Sequence, residues 1–402
     1  MFLVWSAGTA RANPPDRLLA AVSAHTVALL KAASSRYQSI PSIRYVDGRS
    51  ACRWRLPAQD EGVVFPYGKG PNDCDYLGCR EAVLVEEAGM YHLFYDGCGP
   101  KGWLACLAVS RDLRNWERLG PVLEFGAPGD PDARSASAPW MIQDDKRVWH
   151  MFYLGTPNAT PGPDFVPMFP YLTLKAQSSS LRGPWTKQRE VRPFDVKPGT
   201  FRESTASPGA IVRHGGEYLQ FYSGAISTEP DRSPAPGIPD LPEAKAARRR
   251  GGPYALRTLG LARTRDLNAS WQVGDAPLLP LTEQIENSSL YYEKSIETWF
   301  LVTNHIGCAP DPDKPRCHEF TDAIWMYWSR DPTRWNPADK AVVLDGENCD
   351  WSKRCIGMPT VHPVGNRLAI LYDAPGGEST DHMRRSIGLA WLDLPLGIPG
   401  GI

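Results

Sequence analysis

The stretch Cys79–Gly97, CREAVLVEEAGMYHLFYDG, runs an apolar segment into an aromatic one across a turn, then continues as GWLACLAVSRDLRNWERLGPVL from Gly102. Related copies begin at Ser137 (SAPWMIQDDKRVWHMFYLG), Ser207 (SPGAIVRHGGEYLQFYSG), Asn287 (NSSLYYEKSIETWFLVTNH) and Ile356 (IGMPTVHPVGNRLAILYDA). Each copy reads as an apolar strand, a turn, an aromatic-rich strand, a variable loop and a third strand; most add a Trp-bearing fourth. The period is roughly 60 to 80 residues, which marks a repeat architecture. Four-stranded units repeated radially build a β-propeller, so five copies predict an all-β, five-bladed propeller with a short N-terminal helical segment. Sandwiches also repeat strands, but not one quartet at this spacing. The fifth copy stops after its third strand, SIGLAWLDLPL. Its missing outer strand is expected from the stretch between about Ile43 and Phe65, which would join the two ends of the chain.

Outside the repeat, Asp16–Ala33 carries Leu18, Val22 and Leu29 at helical spacing behind the start signal Asn13-Pro14-Pro15-Asp16. Residues 1–40 therefore read as an N-terminal extension with one amphipathic helix, packed on the body or on a second copy of the chain, and 41–402 as the propeller domain. The net charge is −1, with 44 basic against 45 acidic side chains, so nucleic acid is not an expected partner. No run of about 18 apolar residues is present, so no membrane span is expected. Nine cysteines include three local pairs, Cys74/Cys79, Cys308/Cys317 and Cys349/Cys355, in loops where short bridges fit; free thiols are the alternative. None has the spacing of a zinc site. Ala10-Arg11-Ala12 resembles a signal-peptidase site, and the expected location is periplasmic or extracellular.

Tyr91-His92-Leu93-Phe94-Tyr95, Ser110-Arg111-Asp112, Gly183-Pro184-Trp185, Thr264-Arg265-Asp266, Ser329-Arg330-Asp331 and Gly388-Leu389-Ala390 resemble the repeat text of the five-bladed propeller glycosidases. That group spans glycoside hydrolase families 32, 43, 62, 117 and 130, and the resemblance covers about residues 62 to 396. It implies cleavage of an oligo- or polysaccharide, with carboxylates lining an axial funnel and no required cofactor; an axial calcium or sodium ion is compatible with it. The base aspartate of family 43 falls on Arg80 and its acid glutamate on Ser207, so either the acids have moved or the chemistry differs. A glycoside phosphorylase or a glycan-binding propeller without catalysis are the alternatives. Arg80, Arg134, Lys353 and Arg384 would be the phosphate ligands of the former.

Strict alternation along the inner strands places Arg80, Ala138, Ser207, Ser288 and Gly357 in one funnel-facing row. Four residues upstream, the same parity brings Glu203 of the third copy to the funnel; two upstream, it brings Glu286 of the fourth. These two are the expected catalytic pair, with Glu203 as proton donor, because glycoside cleavage needs two carboxyl groups flanking one bond. Asp73 and Asp75 are further catalytic candidates. The second-strand ends Asp96, Leu154, Ser223, Asn304 and Asp373 form a column at the same mouth. His305, His382, Arg384, Arg80, Arg134 and Asn287 are expected substrate-binding groups, and Trp103 and Trp351 expected sugar platforms. The segment from Ser227 to Pro253 reads as a lid or a subunit contact, and the apolar loop Asp164–Phe169 as one wall. An exo-acting glycosidase is the expected function.

Overall fold

The computed structural model describes residues 24–41, 52–228, 241–248 and 250–400. Five antiparallel strand units follow one another along the chain, the first two joined into one sheet where Trp103 and Leu104 pair parallel to Ser135 and Ala136. Blade one consists of Gly78–Glu87, Met90–Gly99, Gly102–Ser110 and Glu117–Pro121; blade two of Ser135–Gln143, Trp149–Thr156, Leu172–Ser178 and Thr186–Lys187. Blade three has an interrupted inner strand, Thr205–Ser207 and Ile211–His214, followed by Glu217–Ser227, Ala255–Thr264 and Gln272–Val273. Blade four is Ile285–Glu293, Thr298–Ala309, His318–Ser329 and Lys340–Asp345. Blade five comprises Gly357–Val364, Arg367–Ala374 and Ser386–Asp393, and its outer strand is Gln59–Phe65, paired antiparallel to Ser386–Asp393. The chain ends thus close the ring, as the truncated fifth repeat requires. Inner strands of blades four, five, one and two pack side by side in sequence, and blade three completes the circle. Immediately before the closing strand, Trp54–Arg55 runs parallel to the outer strand of blade four.

The repeated motifs are scaffold chemistry. Ser110 Oγ accepts the N–H groups of Asp112 and Leu113, and Asp112 Oδ1 accepts those of Arg114 and Asn115. These bonds hold the Asp112 carboxyl below its ordinary range. Thr264 and Ser329 accept the Asp266 and Asp331 amides in the same way. Between blades, the aromatic second strands bury Phe94, Tyr95, Phe152, Tyr153, Phe221, Tyr222, Phe300 and Tyr372 completely. Each such ring contributes about 1.5–3 kcal/mol by leaving water.

The helix spans Ala24–Ser35; the earlier part of the expected Asp16–Ala33 segment and the Ala10–Ala12 motif lie outside the described residues. Leu30 and Ala33 are buried, and Arg36 donates to the carbonyls of Asp393 and Pro395. The helix end is therefore seated on the chain's own C-terminal segment. Of the three cysteine pairs, Cys308–Cys317 is a disulfide; Cys74, Cys79, Cys349 and Cys355 are buried free thiols. Part of the Ser227–Pro253 segment is likewise outside the described residues; its short helix Pro242–Ala247 buries Ala244 against blade three.

Candidate active site

Each inner strand is broken by a bulge where it enters the funnel. The register slips between Arg80 and Val83, Ser137 and Trp140, Glu286 and Ser289, and Gly357 and Thr360. Within these slips Glu81, Ala138, Asn287 and Met358 have positive φ, from 45° to 57°. A left-handed residue adds one position to the strand and re-aims its side chain, so alternation does not carry across it. In blade three the same place is Pro208-Gly209, where a Cβ on Gly209 would stand 1.9 Å from Phe221 O.

The bulges are tied together around the ring. The second-strand column Asp96, Leu154, Ser223, Asn304 and Asp373 pairs with Arg80, Ser137, Ser207, Glu286 and Gly357. From this column Asp96 accepts the Ala138 N–H, Ser223 the Asn287 N–H at 2.9 Å, Asn304 the Met358 N–H at 3.3 Å and Asp373 the Glu81 N–H at 3.0 Å. Each acceptor serves the bulge of the next blade. Leu154 breaks the series where the following bulge holds Pro208, which has no N–H to give. An apolar side chain thus stands at the one seam where a polar one would have no such donor.

The funnel holds a cavity of about 390 Å³ lined by Arg80, Glu81, Asp96, Trp103, Arg257 and Glu286, among others. Its charged side is built by blades one, three, four and five. Glu81 is half-buried in the funnel wall. That burial, opposed by Arg80 and reinforced by Asp373 and Glu286, pushes its carboxyl up to about 7. Glu286 faces the same cavity on an ion pair with Arg257 Nε at 3.1 Å. Arg257 also binds Glu319 at 2.5 Å, and the two carboxylates keep its guanidinium firmly charged despite burial. Asp373 pairs with Arg385 at 2.8 Å, both nearly inaccessible to solvent. Burial and then the neighbouring Glu81 raise the Asp96 carboxyl well above its ordinary range.

His382 lines the cavity and is exposed on its open side. Desolvation there, with Arg80 and Arg385 beside it, holds its pKa well below the usual imidazole range. The neutral ring accepts from Arg80 Nη1 and meets Trp103 edge-on at 5.9 Å. Among the described residues Trp103 Nε1 has no hydrogen-bond partner. The opposite side of the funnel is uncharged: Ser137, Leu154, Thr205, Ser207 and Ala225, under an aromatic wall of Phe169 and Tyr171.

Among the residues singled out by sequence, the structure brings Glu286, Asn287, Arg80, His382 and Trp103 to the cavity. It does not bring Glu203 there. Regular strand begins only at Thr205, and Glu203 lies in the preceding turn, its Oε2 accepting the Gly199 N–H at 3.2 Å. Alternation has no meaning across that turn. Asp75 is fully buried beneath blade one, bound to Arg118, Tyr95 and the Gly70 amide at 2.7 Å, while Asp73 is an exposed turn residue. His305 is buried, stacked on Trp325 at 4.2 Å and bonded to Asp322. Arg134 and Arg384 are exposed outside the cavity lining, and Arg384 pairs with Asp381. Trp351 packs on Tyr372 and donates to its hydroxyl at 2.6 Å. Lys353 is bonded to Cys349 O, so of the four expected phosphate ligands only Arg80 reaches the funnel.

Glu81 is the residue that parity missed, because strict alternation puts the neighbour of Arg80 on the other face. Its signal was an acid immediately before the apolar run Ala82–Val85. Among the described residues no group of three or more His, Cys, Asp or Glu side chains is arranged to hold a metal ion.

A propeller of five four-stranded blades with acids and arginines converging on its axis is a fold shared by several polysaccharide-active enzymes. No family model matches the chain, and no curated protein sequence does. Solved structures do match in fold. The catalytic domain of the Coprinopsis cinerea GH62 α-L-arabinofuranosidase aligns at TM-score 0.55 and 12% identity, covering 83% of this chain and 96% of that one. The endo-arabinase of Bacteroides thetaiotaomicron aligns at TM-score 0.51 and 13% identity, over 84% and 100%. A family 117 glycoside hydrolase of Zobellia galactanivorans aligns at 0.52 and 14%, over 84% and 90%.

Proposed function

We propose that the protein is an exo-acting glycoside hydrolase in which Glu81 is the proton donor and Glu286 the ionised partner. The carrying observation is the pair itself: two carboxyl groups from blades one and four facing one cavity, in environments that separate their roles. Glu81 keeps its proton up to about pH 7 through burial, whereas Glu286 is paired with Arg257. In such a reaction Glu81 would protonate the leaving-group oxygen as the glycosidic bond breaks. Glu286 would serve the anomeric carbon, either directly or through water. The neutral imidazole of His382 and the Arg80 guanidinium would bind sugar hydroxyls, and Phe169 and Tyr171 would stack on ring faces. The structural neighbours named above support a carbohydrate substrate, and an enclosed funnel suits a terminal residue better than mid-chain cleavage. The arginines of the funnel are all engaged by acids or by His382, so the phosphorylase reading gains no support. A disulfide at Cys308–Cys317 favours an oxidising compartment, in line with a periplasmic or extracellular location.

The test is a panel of 4-nitrophenyl glycosides, beginning with α-L-arabinofuranosides, together with arabinan- and pectin-type oligosaccharides, at pH 4 to 8. Turnover that disappears in Glu81→Gln is the expected result. Absence of any turnover by the wild type across the panel would overturn the reading.

A further inference from the structure

Arg257 is shared by two carboxylates that reach it along different edges. Its Nε stands 3.1 Å from Glu286 Oε2, and its Nη1 donates to Glu319 Oε1 at 2.5 Å. Glu319 is held from its other side as well, where Oε2 accepts the Tyr254 N–H at 2.8 Å. Its backbone pairs with Cys308 across the blade-four hairpin, and the Cys308–Cys317 disulfide closes that hairpin two residues before it. The Glu319 side chain is 10% exposed against 24% for Glu286. One acid is built into the wall; the other opens on the cavity.

We propose that Glu319 is a positioning residue that acts on Glu286 through Arg257. The inference rests on the glycosidase reading of Glu286. A guanidinium bound to one carboxylate can turn about its long side chain and offer either edge. Bound to two, with its backbone N–H also fixed by Gln284 Oε1 at 2.8 Å, Arg257 has a single orientation. Glu286 is then presented to the cavity from a fixed edge instead of following the arginine. The three residues come from blade three, the start of blade four and its rim hairpin, so their alignment depends on how those segments are stapled together.

A double-mutant cycle on the 4-nitrophenyl glycoside that the wild type turns over fastest tests this. Glu319→Gln keeps the side-chain shape and is expected to lower kcat by about tenfold with KM within about twofold. In the Glu286→Gln background the same change should cost less than about twofold, because the group it acts through is already gone. A full additional tenfold loss in that background, or wild-type kcat in Glu319→Gln alone, would overturn the proposal. If Glu319→Gln does not fold, Arg257→Lys takes its place in the cycle, since a point charge cannot serve both carboxylates, and the same outcomes decide. If the wild type turns over no glycoside, the glycosidase reading fails separately. Urea-unfolding midpoints of the two single mutants and the double then read the coupling: non-additive midpoints uphold it, and additive ones sink it.

Discussion

The two sides of the funnel are built from the same repeat and have opposite chemistry. Blades one, four and five, with Arg257 of blade three, present Glu81, Arg80, Glu286, Arg385 and His382, while blade two and the inner strand of blade three present Ser137, Leu154, Thr205 and Ser207 beneath Phe169 and Tyr171. The seam between blades differs at one place, on the neutral side. Asp96, Ser223, Asn304 and Asp373 each reach across to the next bulge amide; where Pro208 removes that amide, Leu154 replaces the polar acceptor. The difference teaches that the scaffold and the site are one design at this depth. Residues that close the ring also set the field around Glu81, so charge cannot be moved to the blade two–three side without leaving polar groups unpaired.

The largest effect expected from breaking this comparison is on activity. Glu81→Gln and Glu286→Gln should each lower kcat by about a hundredfold or more, whereas Thr205→Ala and Ser207→Ala on the neutral side should stay within about tenfold. Hydrolysis rates on one aryl glycoside would measure both sides together. Comparable losses on the two sides would remove the distinction.

Next in size is the seam. Asp373 holds Arg385 and the Glu81 amide in the interior, so Asp373→Asn should cost about 3–5 kcal/mol in urea unfolding, as an uncompensated buried cation does. Asn304→Leu strands the Met358 amide and should cost about 1–3 kcal/mol. Leu154→Asn should also destabilise, by a similar amount, because Pro208 offers no N–H to accept. Stabilisation by Leu154→Asn would show that the apolar seam has another cause.

The pH dependence gives a smaller, signed test. Glu81 has a folded-state pKa raised to about 7, above the unfolded carboxyl value, so its proton favours the fold. That contribution is complete below the unfolded value and is lost as pH rises through about 7. Wild-type kcat/KM should fall over the same rise, as the proton donor is lost. At pH 8, Glu81→Gln should be more stable than the wild type by on the order of 1 kcal/mol. Equal stability at pH 8, measured by thermal unfolding, would mean the carboxyl is not desolvated in the folded state. The smallest effect belongs to Glu203→Gln, whose carboxyl serves a turn. Its kcat should remain within about twofold of wild type.

The fold was legible because it is written five times. Aromatic second strands and Ser/Thr-Arg-Asp turns recur with local, self-contained hydrogen bonds, so each repeat reports its own structure. Even the borrowed outer strand followed from counting, since blade five lacked a fourth segment and Gln59–Phe65 supplies it. The site was legible only in part. Glu286 and Arg80 came from strand parity, His382 from its loop at the mouth, Asn287 from its place beside Glu286 and Trp103 from its ring, and all five reach the cavity. Glu203 came from extending parity into a turn, and Glu81 was passed over because parity ends at a bulge.

The sequence by itself determined the repeat, the blade number, the mouth of the funnel and the column Asp96, Leu154, Ser223, Asn304 and Asp373. These depend on period and composition, which a single chain displays without its partners in space. Only the tertiary structure decided which acids meet. A left-handed residue at 81 turns a carboxyl by one strand position, and Asp373 from the last blade holds it there, 292 residues away. The bond that fixes Glu81 joins the first blade to the fifth. It exists only once the ring has closed, so no local pattern around Glu81 could carry it.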